Sequence, residues 1–313
     1  MTAVARRRVF PGPAFAGSLS RLPNLRLPTL GGRHFWMDVD IATTHRVQRN
    51  VWTGHCRLLD RHDRRWAAGT LGHCRAAARR HFPLPVQTGT LVVLLHGLYR
   101  SRHSLARLER RLNEAGWITI APNYPSGHAD LPALGDWLNR VMNGITGYER
   151  VAFVTYSLGG LVLRAALGRD SPWRRRLAVA GAVQIGTPNR GAQAAALLRG
   201  LAEDSGLAGP AARALCRPID LPEPPAEIPV TVIAGGNGRN GFNPFLDGDD
   251  DGVVRVAETR LGRDHDFHLV PTLHGLLIGH PATDDLVRAA LTAWTATDAE
   301  PVTAHRAGFA DTR

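Results

Sequence analysis

From residue 90 onward the chain alternates short, continuous apolar runs with longer amphipathic stretches. The runs fall at 90–95 (Thr-Leu-Val-Val-Leu-Leu), 117–121, 150–155, 178–185, 229–234 and 267–271. Segments with helical spacing lie between them, at about 102–115, 131–144, 158–168 and 191–200, with a last one at about 283–296. Runs this short and without polar alternation fit strands buried on both faces. Separated by helices, they predict an α/β fold with a mainly parallel sheet and helices on both faces. Ligands of such sheets bind at the carboxyl ends of the strands, so the loops after each run are the places to search.

The pattern before residue 89 is different. Residues 1–33 are rich in Pro, Gly and Arg and read as a loose arm. Between about 43 and 82, Val47, Val51, Leu58, Leu59 and Trp66 are interleaved with arginines at spacings that predict helix, and Gly69 with Gly72 predicts a break between two helices. Three parts follow: an Arg-rich, helical N-terminal region over 1–88, an α/β domain over 89–297, and a C-terminal tail over 298–313. The stretch 192–228, rich in Ala and Leu and then Pro, joins two strands and is a candidate lid.

Composition sharpens this division. A hydrophobic content of 44% and a charged content of 21% exclude a disordered chain. All 38 basic residues are arginine, and the net charge is +11. Residues 1–89 carry 15 Arg against 4 Asp, a surplus of 11, whereas the remaining 23 Arg and 23 acids cancel. The positive field therefore belongs to the N-terminal region. It suits an anionic membrane surface or an acidic partner, with a solvated basic face as the plain alternative; no nucleic-acid partner is expected. Cys56, Cys74 and Cys216 make no disulfide framework, and no apolar stretch resembles a signal-peptide core or a membrane span. A soluble cytoplasmic protein, possible visitor to a membrane surface, is the expectation.

The strongest chemical signal is Val151-Ala-Phe-Val-Thr-Tyr-Ser-Leu-Gly-Gly-Leu-Val-Leu-Arg164. A strand ending at Tyr156, a serine on the turn and a helix starting at once is the context of a nucleophile elbow. There Ser157 would stand above the sheet, and the free N–H of Leu158 would face an oxyanion. The alternative is a serine that merely caps a helix. Thr155 stands where glycine is usual, and its branched side chain is expected to crowd the strand–helix contact. The segment Leu94-Leu95-His96-Gly97-Leu98 ends the first strand of the domain and offers a second oxyanion donor, the N–H of Leu98. His96 itself is expected to brace that loop as a satisfied structural histidine.

A Ser–acid–His order then directs the search downstream. Asp247-Gly-Asp-Asp-Asp-Gly-Val-Val254 follows the run at 229–234, and Thr272-Leu-His274 follows the run at 267–271. His274 is the expected general base. Asp251 is the expected acid, because Gly252 allows a tight turn and Val253-Val254 resumes an apolar run; Asp250 and Asp249 are reserves, as is His280 for the base. Asp247, Asp249, Asp251, Gly252 and Glu258 also match calcium-loop spacing, but the glycine-rich stretch from Gly235 cannot form the helix such a loop needs, so no metal is expected. The doubled Gly-His-Cys-Arg at 54–57 and 72–75 lacks the usual two-residue ligand gap and reads as coincidence.

With these residues in hand, the chain resembles the bacterial esterase and lipase families of the α/β-hydrolase fold, close to the small lipases and the PGAP1-like group. The resemblance covers about residues 89–297 and rests on "LVVLLHGL" at 91–98, "VAFVTYSLGGLVLRAAL" at 151–167, "IGTPNRGA" at 185–192, "DGVVRVAETRL" at 251–261 and "LHGLL" at 273–277. It implies Ser157, Asp251 and His274 as a triad, Leu98 and Leu158 as oxyanion donors, and a loop at 186–189 beside the site. The chain departs from the family at Thr155 and at Tyr156, where a histidine is common. The expected activity is hydrolysis of a small-molecule or lipid carboxylic ester through an acyl-enzyme, with no cofactor. Acyl transfer or thioester cleavage on the same residues is one alternative, and a non-catalytic module binding an anionic surface through residues 1–88 is another.

Overall fold

A computed structural model describes residues 34–82, 89–197 and 209–295. Its first part is a four-stranded antiparallel meander: β1 (Trp36–Ile41), β2 (His45–Asn50), β3 (Cys56–Asp60) and β4 (Arg65–Gly69), in spatial order β1-β2-β3-β4. Only α1 (Leu71–His81) is helical there, so the two helices expected over 43–82 are corrected to strands followed by one helix. The turns explain the difference. Asn50 Oδ1 accepts the N–H groups of Trp52 and Thr53, and Gly54 follows at φ +70°. Asp60 Oδ1 accepts those of His62 and Arg64 around Asp63 at φ +59°. Short polar side chains thus reverse the chain twice.

The meander has two unlike faces. On one, Val47, Cys56, Leu58 and Ala67 pack against Cys74 and Ala78 of α1. Both Cys-containing repeats end in this small core, and burial pushes the Cys74 thiol up to about 12. On the other face, Asp38, Gln48 and Arg57 are neighbours across three strands. Gln48 Nε2 donates to Asp38 at 2.7 Å, and Arg57 donates twice to Gln48 Oε1 at 3.0 and 2.8 Å.

The second sheet has the order β10-β9-β8-β7-β5-β6 and is parallel throughout. Its strands are β5 (Thr90–Leu95), β6 (Ile118–Ile120), β7 (Arg150–Tyr156), β8 (Ala178–Ile185), β9 (Val230–Gly236) and β10 (Asp266–Pro271), each on one of the six apolar runs. Around it lie α2 (Ala106–Glu114), α3 (Leu131–Gly144), α4 (Leu158–Leu167), α5 (Gln193–Leu197), α6 (Pro210–Leu215), α7 (Val256–Thr259), α8 (His274–Leu277) and α9 (Pro281–Thr295). Side chains alternate across the strands as pleating requires. Leu91, Val93 and Leu95 join Leu134, Leu138, Leu161 and Val162 on one face. Val92 and Leu94 join Leu105, Leu108, Val287 and Leu291 on the other. The long apolar runs exist because both faces are covered.

The meander is joined to this body through its polar face. The N–H and carboxylate of Asp38 pair with the C=O and N–H of Asn123, each at 2.8 Å. Asn123 Nδ2 donates to Trp36 O at 2.7 Å, and Trp137 Nε1 donates to Asp38 O at 2.7 Å. Met37 and Ile41 of β1 belong to the main core. Burial raises the Asp63 carboxyl, but the hydrogen bond with His103 and the charges of Arg102 and Arg46 outweigh it and hold it down to about 2. No helix among the described residues is long and apolar enough to cross a membrane. The loose arm at 1–33 and the tail at 298–313 lie outside the described residues.

Candidate active site

Ser157 sits between the end of β7 and the start of α4 at φ +52°, ψ −120°, a left-handed conformation that costs an L residue on the order of 1 kcal/mol or more. Its N–H donates to Ile185 O at 2.8 Å on the neighbouring strand. The helix starts so close to the sheet that a Cβ on Gly159 would stand 2.5 Å from Leu95 O, and one on Gly160 would stand 2.3 Å from Thr187 Oγ1. Thr155 does not crowd this contact. It is fully buried within β7, and its hydroxyl donates to Val183 O at 3.0 Å. Room for the turn comes from positions 159 and 160.

His274 approaches from the loop after β10. Its Nε2 lies 3.1 Å from Ser157 Oγ, and its Nδ1 lies 2.6 Å from Asp251 Oδ2. Asp251 is 1% exposed, and its other carboxylate oxygen accepts the N–H groups of Val253 and Val254 at 3.0 and 2.7 Å. The acidic loop folds down onto β9 because Gly235 and Gly236 leave space, for a Cβ at either would stand within 3 Å of Asp251 or Asp249. After Asp251 the chain makes a turn, an isolated bridge between Asp250 and Arg255, and the short helix α7.

The reserve residues have other work. Asp249 accepts from the N–H groups of Asn237 and Gly238, and Asp250 from those of Asn243 and Gly252. Glu258 accepts from its own helix start and from Gln193 N. His280 Nδ1 accepts from Ala282 N at 3.2 Å at the head of α9. The calcium-like spacing therefore brings no carboxylate fan together, and among the described residues no group of three or more His, Cys, Asp or Glu could hold a metal.

The loop carrying Leu98 is braced from beneath. His96 is fully buried, stacked on Tyr124 with ring centroids 4.0 Å apart. Its Nδ1 lies 2.9 Å from Gly97 O and its Nε2 accepts Tyr124 N at 3.3 Å, which a neutral imidazole satisfies. Burial lowers its pKa to about 4. Gly97 meets Tyr156 and Ser157 so closely that a Cβ there would stand 3.1 and 3.2 Å from their side chains. Leu98 lines the space over Ser157. Leu158 opens α4, where the N–H groups have no intrahelical acceptor.

Two further groups meet His274: Tyr156, marked in the sequence only as a departure from the family, and the loop at 186–189, expected beside the site. Tyr156 Oη donates to His274 O at 2.8 Å, and the two rings lie 5.3 Å apart. Burial pushes the Tyr156 hydroxyl up to about 12, so it stays a donor at neutral pH. The 186–189 loop stands beside the site: a Cβ on Gly186 would be 3.1 Å from His274 Cε1, and Thr187 Oγ1 donates to Ser157 O at 3.1 Å.

Above Ser157 and His274 lies a cavity of about 730 Å³ whose walls include Leu98, Pro188, Ala192, Ala195, Leu215 and Val254. The expected lid at 192–228 lies partly outside the described residues, and its described portions supply part of this wall. Phe245 and Val253, at the cavity edge, are 80% and 46% exposed, and Leu273 and Leu276 flank His274 at 43% and 64%.

No protein-family model and no curated protein matches the chain by sequence. Among solved structures, the metagenomic carboxyl esterase MGS0156 is similar over 70% of this chain and 80% of its own, with 16% identity and a TM-score of 0.53. The product of the gene lin2722 from Listeria innocua is similar over 64% of this chain and 93% of its own, with 17% identity and a TM-score of 0.48. A thermophilic esterase from Thermogutta terrifontis is similar over 67% and 92%, with 18% identity and a TM-score of 0.44. None of these singles out the small-lipase or PGAP1-like subgroup. The six-stranded parallel sheet, the strand–serine–helix turn and the likeness to the metagenomic carboxyl esterase identify the chain as a protein of the α/β-hydrolase fold.

Proposed function

We propose that this protein hydrolyses carboxylic esters through an acyl-enzyme on Ser157. One observation carries the reading: a serine held in a left-handed turn lies 3.1 Å from an imidazole whose other nitrogen rests on a buried carboxylate, at the base of an apolar cavity. In the proposed reaction Ser157 Oγ attacks the carbonyl carbon and passes its proton to His274 Nε2. The tetrahedral oxyanion accepts the N–H groups of Leu98 and Leu158. Collapse breaks the carbon–oxygen bond, and the proton on Nε2 goes to the departing alkoxide. Water then attacks the acyl-enzyme, gives its proton to His274 and releases the acid, after which the proton returns to Oγ. Asp251 keeps Nδ1 protonated throughout, so that Nε2 is the nitrogen free to accept.

A fluorophosphonate probe tests this reading. Labelling of the wild type but not of Ser157→Ala, together with turnover of p-nitrophenyl esters lost in the same variant, is the expected result. No labelling of the wild type, or equal labelling of both, sinks it.

A further inference from the structure

Among the described residues, the cavity over Ser157 has one cation on its wall that the proposed reaction does not use. Arg100 and His274 are the lining residues able to carry positive charge, and His274 is engaged by Ser157 and Asp251. Arg100 follows Leu98 by two residues, and its guanidinium lies over the Tyr156 ring, 5.8 Å from the centroid. One of its terminal nitrogens stands 3.8 Å from where a Cβ on Gly275 would be. Among the described residues no carboxylate pairs with it, whereas Arg102, two positions on, is paired with buried Asp63. An exposed arginine without an acid is ordinary on an open surface. This one edges a mostly apolar cavity, beside the proposed nucleophile.

Its position also has a direction. The guanidinium lies on the wall formed by Tyr156 and the residue after His274. In the acyl-enzyme reading, on which this inference rests, the leaving alcohol takes its proton from His274 Nε2 and therefore departs along that wall. We propose that Arg100 binds an anion carried by the alcohol half of the substrate. The preferred substrates are then acyl esters whose alcohol bears a phosphate or a carboxylate, with the acyl chain against Ala192, Ala195, Leu215 and Val254. A guanidinium matches either group through paired N–H donors, and apolar walls screen the attraction less than open water does.

The experiment compares three esters with one acyl chain: a neutral alcohol, its phosphate-bearing analogue and its carboxylate-bearing analogue. For the wild type, kcat/KM should favour at least one anionic ester by roughly ten-fold, mainly through KM. Raising the salt concentration should erode that preference. Arg100→Met should bring the ratio of anionic to neutral kcat/KM to about one, and Arg100→Lys should keep part of it. A preference for the phosphate alone or the carboxylate alone supports the inference and names the group. Turnover of the neutral ester with no anionic preference overturns this inference alone, as does a preference that survives Arg100→Met. No turnover of any ester by the wild type overturns the hydrolase reading along with it.

Discussion

Asp251 holds His274 at two points: its carboxylate meets Nδ1 at 2.6 Å, and its backbone carbonyl accepts the His274 N–H at 2.8 Å. The ring is thus fixed in position by the backbone and in protonation by the side chain. These are separable functions, and substitution can remove one while leaving the other.

Asp251→Asn should do that. The N–H groups of Val253 and Val254 both require an acceptor, so the amide oxygen turns toward them and the NH₂ faces Nδ1. Imidazole then carries its proton on Nε2 and cannot accept one from Ser157. We expect kcat to fall on the order of 10³- to 10⁴-fold with KM little changed. Steady-state kinetics with a p-nitrophenyl ester checks this, and a kcat within a few-fold of the wild type would remove Asp251 from the reaction.

His96 should make the fold acid-sensitive. Burial depresses its folded pKa to about 4, below an unfolded value of about 6.5. The unfolded chain therefore binds a proton first as pH falls, so the stabilisation is present above about pH 6.5 and is lost as pH drops through the range toward 4. Roughly 2 kcal/mol should go by pH 5. His96→Gln, though less stable at pH 7.5, should lose less further stability at pH 5, as measured by chemical denaturation. Parallel losses in both proteins would show that His96 is not the titrating group.

Removal of residues 34–69 should not leave a working α/β domain. The cut exposes Asn123 and Trp137, which bond to β1, and strips Met37 and Ile41 from the main core. Tyr124, next to Asn123, supports the loop that carries Leu98 through its stacking on His96. Asn123→Ala is the milder form of the same test and should cost about 2–3 kcal/mol in thermal unfolding. A well-folded, active fragment beginning near residue 70 would refute this. Any role of the Arg-rich region at an anionic surface is better tested by removing residues 1–33 alone, with binding to anionic vesicles as the readout.

Gly159→Ala should damage the serine turn and Thr155→Ala should not. The first puts a methyl group 2.5 Å from Leu95 O, a backbone atom that cannot swing away. A drop in stability of roughly 2 kcal/mol or more, with loss of ester turnover, is expected. The second removes one hydroxyl bonded to Val183 O, worth about 1 kcal/mol, and should neither raise nor abolish activity. Unfolding midpoints and kcat for the two variants decide the matter.

The main sheet was legible because nothing interrupts its signal. Leu91 to Leu95 read as a buried strand since both faces are apolar, and Ser157 was legible because strand, serine and helix follow without a gap. The meander was misread for the opposite reason. Arg46, Gln48 and Arg57 are buried through polar partners across strands, and hydropathy scores them as surface. Val47, Val51, Leu58 and Trp66 then mimic helical spacing. The reversals at Asn50 and Asp60 were the available signal, and it was a matter of turn chemistry rather than periodicity. Among the adjacent aspartates, the turn at Gly252 selected Asp251, but the work of Asp249 and Asp250 depends on backbone N–H groups that only the folded loop presents. Tyr156 was legible only as a departure from the family, and its bond to His274 O, like the place of Arg100, depends on where residues more than a hundred positions away come to rest.

Under the proposed ester hydrolysis, the exposed side chains of Phe245 and Val253 at the cavity edge, and of Leu273 and Leu276 beside His274, bear on how a substrate would arrive. Water over those side chains is held by few polar partners, so displacing it releases free energy where most protein surfaces would resist. A hydrocarbon tail sliding across them is drawn inward before any of its atoms reaches the serine. In the proposed ester hydrolysis, capture would then begin outside the cavity, and the approach of greasy molecules would be favoured over that of equally reactive, fully hydrated ones.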